Sequence, residues 1–274
     1  MATDLADSPS GTRSSYRFLL SPKWILFHLL VIVLVVVMVN LAFWQLRRLH
    51  ERREFNAEVR ANATQPVVPI DDLRTDMAQH APLEWRRVSA TGTYVPGHQF
   101  LVVNRAQNGE PGKNVVDALQ LDDGSLVLVN RGFVSQNDPV PAAPQGTVDV
   151  LGRLRESERR RTGQQSDIGA DVLTDIRRVD IDVLRQQFDK KVLPMYIEQL
   201  QSTPRDAASL EPIVAPTLDE GPHLSYTIQW FIFSVCVLVG WVLAVRRSAA
   251  SRSGKPPKKR KSAYIPIAED QSVG

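Results

Sequence analysis

One histidine of this chain stands where an imidazole could do coordination chemistry. His223 heads the run HLSYTIQWF, at the mouth of a long apolar stretch, with Tyr226 and Trp230 following at helical spacing. A neutral imidazole there could ligate an iron centre inserted among apolar helices. The same three residues also suit an aromatic belt at a membrane–water interface. The residues leave both readings open. A second chemical feature is the run RLRESERRR, Arg153 to Arg161. Its default reading is a solvated loop; its functional reading is contact with lipid phosphates or haem propionates.

Other chemistries find no support. Gly-x-Ser-x-Gly, His-Glu-x-x-His and the phosphate-loop pattern are missing from the sequence, and its carboxylates form no pair suited to acid–base work. No catalytic residues are expected, and the chain is expected not to be an enzyme. Its one cysteine, Cys236, sits inside an apolar stretch. That excludes a disulfide, a thiolate zinc site and a Cys-x-x-x-Cys copper site in the polar part of the chain.

The elements that must position His223 begin with two apolar stretches, Trp24 to Phe43 and Leu224 to Val245, neither holding a Lys, Arg, Asp or Glu. Each reaches the ~20 residues that a bilayer-spanning helix needs. The positive charge lies in the terminal segments, and the middle of the chain nets −4. The basic pI therefore does not point to nucleic acid as a partner. No Lys or Arg occurs between Arg205 and Arg246, whereas eight follow from Arg246 to Lys261. That asymmetry puts the C-terminal segment in the cytoplasm. Arg47, Arg48, Arg52, Arg53 and Arg60 after the first stretch oppose this orientation, but long domains cross largely regardless of charge.

The predicted organisation is a multi-pass cell-membrane protein with both termini cytoplasmic. Residues 1–22 are a disordered cytoplasmic segment and 23–43 the first transmembrane helix. Residues 44–223 form an extracytoplasmic β-rich domain with a helical N-terminal extension. Residues 224–245 are the second transmembrane helix and 246–274 a basic disordered cytoplasmic tail. His28 then lies near the cytoplasmic end of the first span, roughly 25 Å of hydrocarbon from His223, too far to share a metal. His28 and Asn40 read as helix-packing or interfacial polar residues.

Trp44 to Ala61 holds no Gly or Pro and predicts a helix running on from the first span until Pro66 and Pro69 end it. Strand character follows at Arg86–Tyr94, Gln99–Arg105, Val115–Leu121, Leu126–Val134 and Thr147–Arg155. The breaks are Pro96-Gly97, Asn108-Gly109 with Pro111-Gly112, and LDDGS at Leu121–Ser125, the strongest hairpin signal. Ile181–Phe188 reads as helical. Val192–Leu200 reads as a strand that Pro194 places at an edge. The fold class expected is α+β: a small antiparallel barrel or sandwich with one or two helices.

Three blocks now form one pattern: AFWQLRRLHER (Ala42 to Arg52), LVLVNRGFV (Leu126 to Val134) and HLSYTIQWF (His223 to Phe231). Preceding the second block are RRVSATGTY (Arg86 to Tyr94) and NGEPGKNVV (Asn108 to Val116). In order and in placement relative to the spans they resemble the surfeit locus protein 1 family, membrane assembly factors of haem-copper cytochrome c oxidase. The excess of Arg over Lys, 25 to 8, points to a GC-rich bacterial source such as an actinobacterium. The resemblance implies a role in placing haem a into the oxidase catalytic subunit, with the respiratory supercomplex and membrane lipid as further partners. It implies a haem a site at His223, Tyr226 and Trp230. The family's Trp-Gln-Leu falls on Trp44, Gln45 and Leu46, and its Arg-Gly on Arg131 and Gly132. The chain departs from the pattern at Ala42, often Gly, and at Ser135, commonly Pro. The alternative function is a stable accessory subunit of the oxidase or supercomplex that carries no cofactor.

Overall fold

The computed structural model describes residues 16–79, 81–164 and 173–252. In chain order the elements are α1 (Pro22–Ala63), β1 (Val68–Pro69), α2 (Arg74–Ala78), β2 (Arg87–Gln107), β3 (Glu110–Leu121), β4 (Leu126–Ser135), β5 (Thr147–Glu156), β6 (Asp175–Ile176), α3 (Ile181–Leu184), β7 (Met195–Thr203) and α4 (His223–Arg252). They fall into two compact units: the terminal segments up to Arg52 and from Glu220, and Arg53–Asp219 between them.

The first unit is helical. Pro22 opens α1, where a missing backbone N–H costs nothing, and no Gly or Pro follows until the helix has ended. Both α1 and α4 contain windows apolar enough, and are long enough, to cross a membrane, with mean hydropathies of 2.9 and 2.3. Their apolar side chains are exposed around most of the circumference, Ile32, Val36, Ile228 and Val239 among them. A helix apolar on all sides and uncovered by protein has the surface of a membrane span. The expected disordered ends fall largely outside the described residues, at 1–15 and 253–274. Where described, they differ from expectation: Arg17–Leu20 form a 3-10 turn, and α4 continues through residues 246–252.

The second unit is a closed five-stranded barrel. β2, β3 and β4 form an antiparallel meander, β5 returns to pair with the start of β2, and β7 fills the gap between β4 and β5. β7 runs parallel to β4, over Val129↔Ile197 and Asn130↔Glu198. The expected antiparallel barrel is thus parallel at one seam. Barrel closure also corrects the position expected for the strand after Pro194. It is interior, paired on both sides, because the proline stops one residue short of β7 and removes no ladder donor. The two strands predicted around Pro96-Gly97 are one. β2 absorbs the dipeptide as a bulge between Tyr94 and Gln99, and Gly97 takes φ +80° there. Asn108 and Gly109, at φ +53° and +83°, make the tight β2–β3 turn, so Pro111-Gly112 lies within β3. The LDDGS hairpin forms as predicted.

Alternate residues of the strands face opposite ways. Val88, Ala90, Leu119, Val127, Val129, Val150, Leu154 and Ile197 fill the barrel, plugged by Ile70, Leu73 and Met77 from the segment around α2. The other face carries Phe100, Val102, Val116 and Leu128, covered by Ile176, Val179, Ile181 and Leu184. β4 is therefore buried on both faces, which is why Leu126–Val134 reads as an almost unbroken apolar run. The final turns of α1 belong to this unit. Asn62 donates to the Pro82 and Glu84 carbonyls, and Phe55 packs edge-on against Trp85.

Candidate functional site

His223 is the first residue of α4. Gly221, at φ +66°, turns the chain into the helix, and Pro222 accepts hydrogen bonds from Tyr226 N–H and the Ser225 hydroxyl. Thr227 Oγ1 donates to the His223 carbonyl at 2.9 Å. The imidazole is half-buried, and its Nδ1 lies 2.8 Å from Gln45 Oε1 of α1. An amide oxygen can only accept, so Nδ1 carries the ring proton and the lone pair sits on Nε2. Gly221 stands beside that nitrogen; a Cβ there would come to 3.4 Å of it. Gln45 thus does what a carboxylate or carbonyl does behind a metal-bound histidine, fixing both tautomer and ring orientation.

Tyr226 and Trp230 share the helix face of His223, as their spacing requires, but they behave differently. Tyr226 is 45 % exposed, while Trp230 is half-buried with its ring against Phe233. Of the Trp-Gln-Leu triplet, only Gln45 meets His223. Trp44 and Leu46 are 47 % and 44 % exposed on flanking faces of α1. Phe43 and Phe231 pack edge to face at 5.9 Å, and Ala42 is fully buried. The small residue at 42 lets the helices approach, as small residues do in membrane helix pairs.

His28 presents the reverse case. Trp241 Nε1 donates to its Nδ1 at 2.9 Å, so the His28 proton is on Nε2 and that nitrogen offers no lone pair. Trp24, Phe27 and Trp241 surround the ring. Its packing role is as expected. Asn40 closes a hydrogen bond to its own helix at the Val36 carbonyl.

Arg131 and Gly132 lie in the other unit and hold the barrel rather than a ligand. The Arg131 side chain is fully buried at one end of the barrel interior. It forms a two-pronged pair with Asp206 at 2.6 and 2.8 Å and donates to Asp117 at 2.8 Å. The Pro141 and Ala142 carbonyls take its remaining donor capacity. Tyr94 lies across the guanidinium and hydrogen-bonds Gln199. Burial pushes the Asp117 carboxyl above its ordinary range, despite the Arg131 hydrogen bond. At Asp206 burial is outweighed by the Arg131 fork, which holds that carboxyl below its ordinary range. Gly132 is required for another reason: at φ +151°, a Cβ would lie 2.6 Å from the Glu211 carbonyl oxygen, where Phe133 and Glu211 bridge. The counter-ions Asp117 and Asp206 were not anticipated. Their signal was a lone Arg inside a strand apolar on both faces, which must find buried carboxylates.

The basic run divides. Arg153 is buried on β5 and paired with Glu198. Arg155 pairs with Glu84 at 2.9 Å and lies 3.8 Å over the Trp85 ring. Arg159, Arg160 and Arg161 are exposed, in agreement with the solvated-loop reading. Among the described residues, no group of three or more His, Cys, Asp or Glu could hold a metal ion. A porphyrin brings its own four nitrogens and asks the protein only for axial ligands. A lone imidazole with a free Nε2 fits that demand.

The family model described as the SURF1 family matches residues 32–235. An uncharacterised SURF1-like protein of Mycobacterium tuberculosis is 30 % identical over 251 residues, covering 88 % of this chain and 91 % of its own. A SURF1-like protein of Monosiga brevicollis is 32 % identical, covering 82 % of this chain and 90 % of its own. One from Rickettsia felis is 24 % identical, with 82 % and 98 % covered.

Proposed function

Because the chain belongs to the SURF1 family, known generally for cytochrome oxidase assembly factors, we propose that it carries haem a to the catalytic subunit of a haem-copper oxidase. The carrying observation is the hydrogen bond between His223 Nδ1 and Gln45, which leaves Nε2 free as an axial ligand. Tyr226 and Trp230 offer an aromatic face on the same side of α4, and Trp44 another on α1. His223 supplies one axial ligand, and the second would come from the oxidase, another protomer or water. One-sided ligation suits a carrier, since two histidines would hold the cargo that has to be released.

In this reading α1 and α4 cross the cell membrane, with the barrel outside and both termini in the cytoplasm. The arginines at the end of α4 support it, as the cytoplasmic flank of a span is rich in Lys and Arg. The role is non-catalytic: the protein binds, orients and hands over. The test is the purified full chain co-expressed with haem a synthesis. Wild type should show a Soret band and His223→Ala should lose it. An unchanged band in the variant removes His223 from the mechanism.

A further inference from the structure

A groove of about 430 Å³ lies on the outer face of the barrel. It is floored by Asn114 of β3, Asn130 of β4, and Tyr196 and Glu198 of β7, and flanked by Arg105 and Glu158. In barrel order β3 and β4 are the second and third strands. The β2–β3 turn and the long β5–β7 connection flank them. Five-stranded barrels of the OB type bind chain-like ligands on this face, between those two connections. The fold alone does not assign a function; the side chains must.

The charged groups of the groove are already matched. Arg105 pairs with Glu158 at 2.7 Å, and Glu198 is held by Arg153 and Arg155. What is left over is two unmatched polar atoms. Asn130 is 3 % exposed, yet its Oδ1 has no hydrogen-bond partner, and Arg105 Nε has none either. Native proteins leave few buried polar groups without a partner. One is an acceptor and the other a donor, the two kinds of partner that a peptide backbone seeks. The same face already holds one backbone segment through a side-chain amide. The Gln107 amide donates to the Pro212 carbonyl and accepts from Val214 N–H, both at 3.2 Å, which fastens the 212–214 segment as one wall.

We propose that this groove binds a second extended segment, supplied by a partner protein, whose backbone is read by Asn130 and its amide neighbours. A phosphate-bearing chain is a poor match, since no net positive charge remains on the floor. The proposal is independent of haem binding.

The test is ligand-observed saturation-transfer NMR on the full chain in nanodiscs, with acetyl-trialanine amide at millimolar concentration as the probe. Wild type should transfer magnetisation to the alanine methyls. Asn130→Leu, which keeps the bulk and removes the amide, should reduce that transfer several-fold. Val214→Trp, at an exposed position that tolerates bulk, should do the same by filling the groove. His223→Ala should leave it unaltered. No transfer in wild type, equal transfer in both groove variants, or displacement of the probe by inorganic phosphate or oligothymidine would overturn the proposal.

Discussion

Gln45→Leu tests the site most directly. The substitution keeps the volume and helix propensity of residue 45 and removes the acceptor 2.8 Å from His223 Nδ1. A hydrogen bond of this kind contributes about 0.5–1.5 kcal/mol net. Its loss also releases the ring from the tautomer and orientation that present Nε2. Groups behind a metal-bound histidine typically contribute 10–100-fold in metal affinity. The hydrogen bond alone, at the upper end of its range, amounts to about tenfold, since 1.4 kcal/mol is a factor of ten. Gln45→Leu should therefore weaken haem binding about tenfold, whereas His223→Ala abolishes it. Gln45→Glu, an acceptor of greater strength, should stay near wild type. The assay is a haem titration of the detergent-solubilised chain followed at the Soret band, with thermal midpoints measured in parallel. An affinity for Gln45→Leu within twofold of wild type, beside a null His223→Ala, refutes the argument that Gln45 prepares the ligand.

The remaining predictions concern the barrel. Arg131→Met strands two buried carboxylates; breaking a buried pair costs about 3–5 kcal/mol, much of a domain's whole margin, so thermal melts should show little folded barrel. Arg131→Met with Asp117→Asn and Asp206→Asn should recover part of the loss. Gly132→Ala should cost well above the ~1–2 kcal/mol of an ordinary left-handed residue, because its Cβ meets backbone; Gly124→Ala, with open space at φ +81°, should cost about that ordinary amount in denaturant titrations. Asp206, with its pKa lowered on folding, contributes stability at neutral pH that is lost as pH falls below about 4. Asp117 is shifted upward and works in the opposite sense, so of these two carboxyls only Asp206 adds to the acid limb. Asp206→Asn should melt lower at pH 7 and show a flatter decline on acidification.

The long-range features of the fold were readable where one physical signal dominated. Two uninterrupted apolar stretches, a helix without breakers from Trp44 to Ala61, and LDDGS between apolar runs each left one interpretation. The errors came where closure overrode local signals. Pro96-Gly97 reads as a strand end, but a barrel strand that must turn from one neighbour to the next needs a bulge there. Pro194 reads as an edge marker, but a closed barrel has no edge for it to mark. The candidate site was legible as a histidine and a triplet, separately. That Gln45 alone of the triplet reaches His223 depends on the rotation of two helices, which no single-chain pattern encodes.

Barrel closure also sets a schedule for synthesis. β2 leaves the ribosome early, yet the partner of its first half, β5, follows only after Thr147, and β7 is complete only at Thr203. Until then β4 and β5 present unpaired ladders of the kind that recruit other chains. Contacts so distant in sequence also form slowly. A premature stop anywhere before Thr203 thus removes more than the residues it deletes. It leaves every earlier strand of the barrel without a finished structure to join, and such a product is fit for degradation or aggregation rather than partial service.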